Sequence, residues 1–201
     1  KADVIAHSMG GLVARTCLQQ VPGCPIDRLI TVGTPHEGAV DTYGAWEGGE
    51  VWRPGLSKFA FSLVLHFARQ EGESLYQTVQ RLAPSTEEML PTFSYLYAGD
   101  ENEPLPYSSA SLAYPQNMLL NQLPPPENLE ENLKLIYGEG KDTLSGVKIK
   151  ERSWYDQILG KWPHGKPIEK KYSPEGDGTV LVQSARPFES SSGNAAGFNF
   201  D

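Results

Sequence analysis

Ser8 stands in Ala-His-Ser-Met-Gly-Gly, residues 6–11, between a β-type run and a helix-type run. A serine hydroxyl is a poor nucleophile until a base takes its proton and donors stabilise the oxyanion that forms. A tight strand-to-helix turn presents such a serine, and it needs small residues two places before and two places after. Ala6 and Gly10 fill those places, Ala6 where glycine is usual, and Gly11 gives further clearance. The backbone N–H of Met9, at the head of the following helix, is the expected oxyanion donor, favoured by the positive end of the helix. The competing reading is an ordinary turn whose serine caps the helix. Strand before, helix after and a second strand beyond favour the nucleophile.

Such chemistry also requires a carboxylate and an imidazole. Asp177, in Gly-Asp-Gly-Thr-Val (176–180), and Asp142, in Tyr-Gly-Glu-Gly-Lys-Asp-Thr (137–143), are the candidate acids. Either would orient a histidine and stabilise its charged form, and either is also good turn chemistry. The chain has four histidines, His7, His36, His66 and His164. His7 adjoins the serine and should point away from the required side, as a packing residue. His36 lies on the loop after the second strand. His66 falls on the apolar face of a helix-type run, which makes it a core or cap-contact residue. His164, in Trp-Pro-His-Gly, reads as a turn residue.

The elements that would position these groups are α/β in pattern. Residues 3–8 form a buried β-type run, 9–20 a helix with Leu12, Val13, Thr16 and Cys17 at helical spacing, and 26–35 a second strand ending in Gly-Thr-Pro. That order implies a crossover in a parallel sheet. Residues 39–126 change character, with many aromatics and prolines and two helix-type runs. One, 54–70, places Leu56, Phe59, Leu63, His66 and Phe67 on one face; the other, 72–82, does so with Leu75, Val79 and Leu82. This section reads as a helical layer on the sheet or a cap over an apolar pocket, with Trp46, Trp52, Phe59, Phe61 and Phe67 available to line it. Residues 131–140 return to strand alternation through Leu133, Leu135 and Tyr137. The tail 188–201 reads as loop. The expected division is a core of 1–38 and 127–201 with an insertion over 39–126.

Composition sets the outer bounds. The chain has 201 residues, 39% hydrophobic, and a net charge of −8, with pI near 5.0 and mean hydropathy −0.41. These values suit a globular domain with a real core and argue against a nucleic-acid or anionic-membrane surface. No apolar run approaches the roughly 18 residues of a membrane-crossing helix. Cys17 and Cys24 lack metal-site spacing and read as packed thiols rather than a pair. No metal triad, phosphate-binding loop or cofactor motif is present. The acidic runs at 100–104 and 127–132 read as solvated surface rather than calcium sites.

The stretches VIAHSMGGLVAR, LITVGTPHEGA, LKLIYGEGKDT and GDGTVLVQSA occur in the order seen in α/β-hydrolase lipases. The chain resembles the lecithin:cholesterol acyltransferase-like branch over most of its length, only loosely in the middle. The first and last motifs are the specific ones. The resemblance implies that Ser8 is the nucleophile and Asp177 the triad acid, and that residues 39–126 form a lid. It implies hydrolysis or transfer of a lipid acyl ester; the aromatic residues of the cap add the expectation of contact with a lipid interface. The more general hydrolase placement, just after the strand that ends in Tyr-Gly, points instead to Asp142.

In such hydrolases the order is serine, acid, histidine, and every histidine here precedes Asp177. The fold also needs strands ahead of the nucleophile strand, one of whose loops donates the second oxyanion N–H. The expectation is therefore a piece of a longer protein, with the catalytic histidine beyond residue 201. The function expected is a serine esterase, lipase or O-acyltransferase working through an acyl-enzyme on Ser8. The alternative is a hydrolase-fold binding module with a degenerate catalytic set. Compartment is not readable from these residues.

Overall fold

The computed structural model describes residues 1–52, 64–99, 101–108, 113–124, 129, 132–187 and 195–199. In chain order it has β1 (Ala2–His7), α1 (Met9–Gln20), β2 (Ile26–Val32), α2 (Thr42–Gly48), α3 (Leu75–Leu82), β3 (Leu96–Ala98) and α4 (Met118–Gln122). There follow β4 (Leu133–Glu139), β5 (Thr143–Lys150), α5 (Trp154–Ile158), β6 (Lys166–Ser173), α6 (Val182–Ala185) and β7 (Ala195–Asn199).

The chain divides into two compact units. The first comprises Lys1–Ala39, Leu119–Ser145 and Tyr172–Asp201. Its sheet has strand order β1-β2-β4-β7 with every neighbouring pair parallel. Parallel neighbours require long crossovers; α1 makes the first, and residues 40–118 of the second unit lie in sequence between β2 and β4. The core joins Leu29 of β2 and Leu133 and Leu135 of β4 to Ala14 of α1, Cys24 and Ile26. Leu133 and Leu135 are alternate positions of β4, as a period of two demands. Helix α1 buries Gly11, Leu12, Ala14 and Arg15 and leaves Val13 exposed, so its inward face is rotated from the expected one.

Three sequence expectations are corrected in this unit. The tail contributes β7, paired with β4 from Leu135↔Ala195 to Glu139↔Asn199. Its Ala-Ala-Gly-Phe-Asn sequence carries little β signal, and pairing with a neighbouring strand decides its state. Cys17 and Cys24 form a disulfide, with Cα atoms 5.7 Å apart, linking α1 to the turn before β2. His7 is exposed rather than packed, because β1 is an outer strand of the sheet.

The second unit comprises Val40–Met118 and Gly146–Lys171. It thus takes in residues 146–171, beyond the expected insertion of 39–126. A three-stranded sheet of order β3-β5-β6 joins an aromatic cluster. Tyr43 stacks on Trp162 and meets Tyr95 edge-on, and Trp52 stacks on Trp162. Side chains at Gly44 and Gly48 would overlap the Trp52 and Trp162 rings, which is why α2 carries glycine there despite its helix cost. Helix α3 begins on a capping box between Ser74 and Gln77. It buries Val79 as the spacing predicted, while Leu82 is exposed.

Leu56, Phe59, Phe61 and Leu63 lie outside the described residues. Residues 64–68 are helical, and Leu65 is their buried side chain. His66 is exposed and Phe67 is 79% exposed, so the expected inward face is corrected there. Trp46 and Trp52 are half-buried.

Candidate active site around Ser8

Ser8 connects β1 to α1 with φ 53 and ψ −132. Positive φ is rare outside glycine, and this pair of angles matches the first central position of a type II′ turn, where glycine dominates. The backbone is locked there by named contacts. Ser8 N–H donates to Val32 O of the adjacent strand at 2.9 Å. Ser8 O accepts from Gly11 N–H at 3.0 Å and from Thr34 Oγ1 at 3.0 Å. The Ser8 side chain makes no capping bond to α1, so the capping role does not explain a serine here. Met9 is the first helical residue, and its N–H has no intrahelical acceptor.

Clearance is needed one residue later than expected. Nothing lies within 4 Å of a side chain built at Gly10, whereas one at Gly11 would overlap Thr34 Oγ1. Thr34 is 1% exposed and holds the Ser8 carbonyl, so Gly11 lets α1 and the loop after β2 approach closely. Residue spacing singled out the glycines; the role of Thr34 depends on a contact across 26 positions and carried no local signal.

Asp177 is fixed by its own turn. Its Oδ1 accepts from Thr179 N–H and Val180 N–H, each at 2.8 Å. Gly178 N–H donates to Thr143 Oγ1 at 2.8 Å, and Lys141 N–H to Gly176 O at 2.9 Å. The second oxygen, Oδ2, has no hydrogen-bond partner among the described residues and lies 3.2 Å from where a side chain at Gly33 would begin. Gly33 has φ 54 and directly follows Val32, the residue that holds Ser8. Ser8 follows β1, and Asp177 approaches Gly33 at the C-terminal end of the neighbouring parallel strand β2, the end at which open α/β sheets place ligands. Asp177, His7, Gly33, Tyr137 and Phe198 line a cavity of about 350 Å³. Asp142 is exposed and has no bond or ion pair among the described residues; its neighbours Lys141 and Thr143 serve instead to anchor the Asp177 turn.

The histidines separate by environment. His36 is buried, its Nε2 3.1 Å from Thr31 Oγ1. Burial, then the nearby Arg15 guanidinium, pushes its pKa down to about 3, so the ring is neutral. Arg15, itself buried, donates to His36 O at 3.1 Å and to Pro124 O at 2.8 Å. His36 N–H also donates to Ser184 O at 2.9 Å, so the residue is scaffolding for the loop after β2. His7 is exposed and shares the cavity with Asp177. His164 belongs to the second unit and pairs with Glu47 there, Nδ1 to Oε1 at 3.1 Å, which a turn reading did not anticipate. Among the described residues, no group of three or more histidine, cysteine, aspartate or glutamate side chains is placed to hold a metal ion.

Residues 1–46, from β1 through most of α2, match the family described as PGAP1-like alpha/beta domain. No curated protein matches the chain. The family match and the parallel sheet with flanking helices together support an α/β-hydrolase-like fold for this chain.

Proposed function

We propose that the chain carries the nucleophile of a serine esterase or O-acyltransferase of the lecithin:cholesterol acyltransferase-like kind, acting on lipid esters. The observation that carries this reading is Ser8 itself: a non-glycine residue at φ 53, uncapped, at the head of α1. Ser8 Oγ attacks the ester carbonyl while a histidine takes its proton. The oxyanion is held by Met9 N–H at the start of the helix. Collapse expels the alcohol, which takes the proton from the histidine, and leaves the acyl group on Ser8. Water or an acceptor alcohol then reverses the sequence and frees the serine.

Asp177 orients the base through Oδ2, the oxygen its turn leaves free. The base is a histidine that approaches this oxygen from the cavity that Asp177 and Phe198 line. His36 does not suit the role: its ring is buried against Thr31, and burial leaves it too weak a base to take the serine's proton near neutral pH. Residues 39–126 act as a lid, and α5 touches the lipid interface. On α5, Trp154 and Ile158 are 73% and 71% exposed, a combination favoured where water meets lipid.

The test is ester hydrolysis by the full-length protein on dispersed and aggregated substrates. Ser8→Ala abolishes turnover, and Asp177→Asn lowers kcat by about 10³–10⁴. Asp142→Asn leaves it within about twofold, as for a surface change away from the site. Equal losses at Asp142 and Asp177 would overturn the assignment of the acid. A rate indifferent to aggregation would overturn the interfacial contact.

A further inference from the structure

We infer that the second unit carries a binding site for a phosphate group in the cleft between the end of β5 and the turn at Trp162–Gly165. The cleft is about 620 Å³ and is lined by Lys150, Glu151, Arg152, Gln157, Trp162 and His164, among others. None of these residues takes part in the chemistry at Ser8.

The turn is built around a buried carboxylate. Glu47 is 1% exposed, and both its oxygens are used: Oε1 with His164 Nδ1 at 3.1 Å and Oε2 with His164 N–H at 3.0 Å. Its carbonyl accepts from Trp162 N–H at 2.8 Å. Burying a carboxylate is costly unless it is paired and hydrogen-bonded. These three bonds hold Trp162 at φ 57, a conformation unfavourable for a bulky side chain. Such strain gathers at ligand sites. A carboxylate only accepts, so Nδ1 carries the hydrogen and the ring is fixed, with Nε2 as its remaining polar atom. Nε2 has no partner among the described residues.

Two cations complete the wall. Lys150 and Arg152 have no ion pair or hydrogen bond among the described residues. By contrast, Lys148, Lys161 and Lys166 of the same unit are each paired to a carboxylate. Keeping two unpaired cations beside one acid, Glu151, in a chain of net charge −8, favours an anionic ligand. An ammonium, a guanidinium and an imidazole edge together suit an anion with several oxygens, and a guanidinium fork matches phosphate geometry. The cleft is far larger than a phosphate ion, so it also holds the organic group that bears it. A soluble phosphomonoester and a lipid headgroup share this chemistry. Helix α5 contributes Gln157 to the cleft and exposes Trp154 and Ile158 beside it.

The experiment titrates the full chain, and the same chain with Ser8→Ala, at fixed ionic strength. The probes are sn-glycerol 3-phosphate, phosphatidic-acid vesicles and phosphatidylcholine vesicles, with binding followed by calorimetry and tryptophan emission. The expected result is saturable binding of one phosphomonoester probe, unchanged by Ser8→Ala. Lys150→Ala/Arg152→Ala weakens it about tenfold or more, with near-UV circular dichroism retained. His164→Gln weakens it by a smaller factor. Binding of glycerol phosphate marks a soluble ligand; binding of phosphatidic-acid vesicles alone, above phosphatidylcholine, marks a headgroup. No saturable binding of any phosphomonoester probe, or equal binding by the double variant, would overturn the site. Because Ser8→Ala is predicted to bind normally while losing ester hydrolysis, failure of the site and failure of the esterase reading are separately visible.

Discussion

Replacing Ser8 by glycine should make the protein more stable than replacing it by alanine, although both remove the hydroxyl. At φ 53 and ψ −132 a side chain meets its own backbone, and such conformations cost about 1–3 kcal/mol. Alanine keeps that cost and glycine removes it. Glycine also loses more chain entropy on folding, about 0.5–1 kcal/mol relative to alanine. The difference leaves Ser8→Gly ahead by up to about 2.5 kcal/mol, and 1 kcal/mol corresponds to roughly 2–4 °C in Tm for a chain of this size. Urea titrations of the two variants, followed by far-ultraviolet circular dichroism, measure it. The m values should agree, so that a shift in midpoint is a shift in stability. If Ser8→Gly proves equal to or less stable than Ser8→Ala, Ser8 is not held in a strained turn, and the geometric argument for a nucleophile fails with it.

Three further outcomes follow from the same structure. Gly11→Ala overlaps Thr34 Oγ1, whereas Gly10→Ala meets open space; urea midpoints should show about 1–3 kcal/mol lost at Gly11 and none at Gly10. Equal effects would refute the packing role of Thr34. His36 titrates near 3 when folded and near 6.5 when unfolded, so its contribution is complete above the unfolded value and is lost as pH falls through that window. Between pH 7 and 5 the wild type should lose about 2 kcal/mol that His36→Gln does not lose, and parallel pH profiles would contradict this. The Cys17–Cys24 disulfide closes a short loop, with seven positions between its ends, worth about 2.5 kcal/mol in the chain-entropy account. Cys17→Ser/Cys24→Ser should show that loss in its urea midpoint, and an unchanged midpoint would deny the bridge a stabilising role.

What was legible in the sequence was local. β1, α1, β2 and β4 follow from apolar spacing over a few residues, and the turns carrying Ser8 and Asp177 announce themselves by glycines at fixed positions. What was hidden depends on partners distant in sequence. Strand β6, Lys-Pro-Ile-Glu-Lys-Lys-Tyr-Ser, is strongly charged and lacks an apolar face to reveal it. Strand β7 gains its state from the edge of β4 rather than from its own residues. Val13 and Phe67 show that helical spacing finds an apolar stripe without fixing which side of it turns inward. His36 reads as a loop residue until Thr31, Arg15 and Ser184 surround it. The Glu47–His164 pair spans 117 positions, a distance over which no spacing rule operates. Arg15, within an otherwise apolar stretch of α1, is the one buried functional support whose placement the sequence could have flagged.

The central claim is that Ser8 is an activated nucleophile. Fluorophosphonate labelling of the full-length protein, with the modified peptide mapped by mass spectrometry, tests it most directly. The account predicts an adduct on Ser8 that is absent in Ser8→Ala and strongly slowed in Asp177→Asn. A folded protein that takes no adduct at Ser8 would contradict it and leave a hydrolase-like binding module in its place.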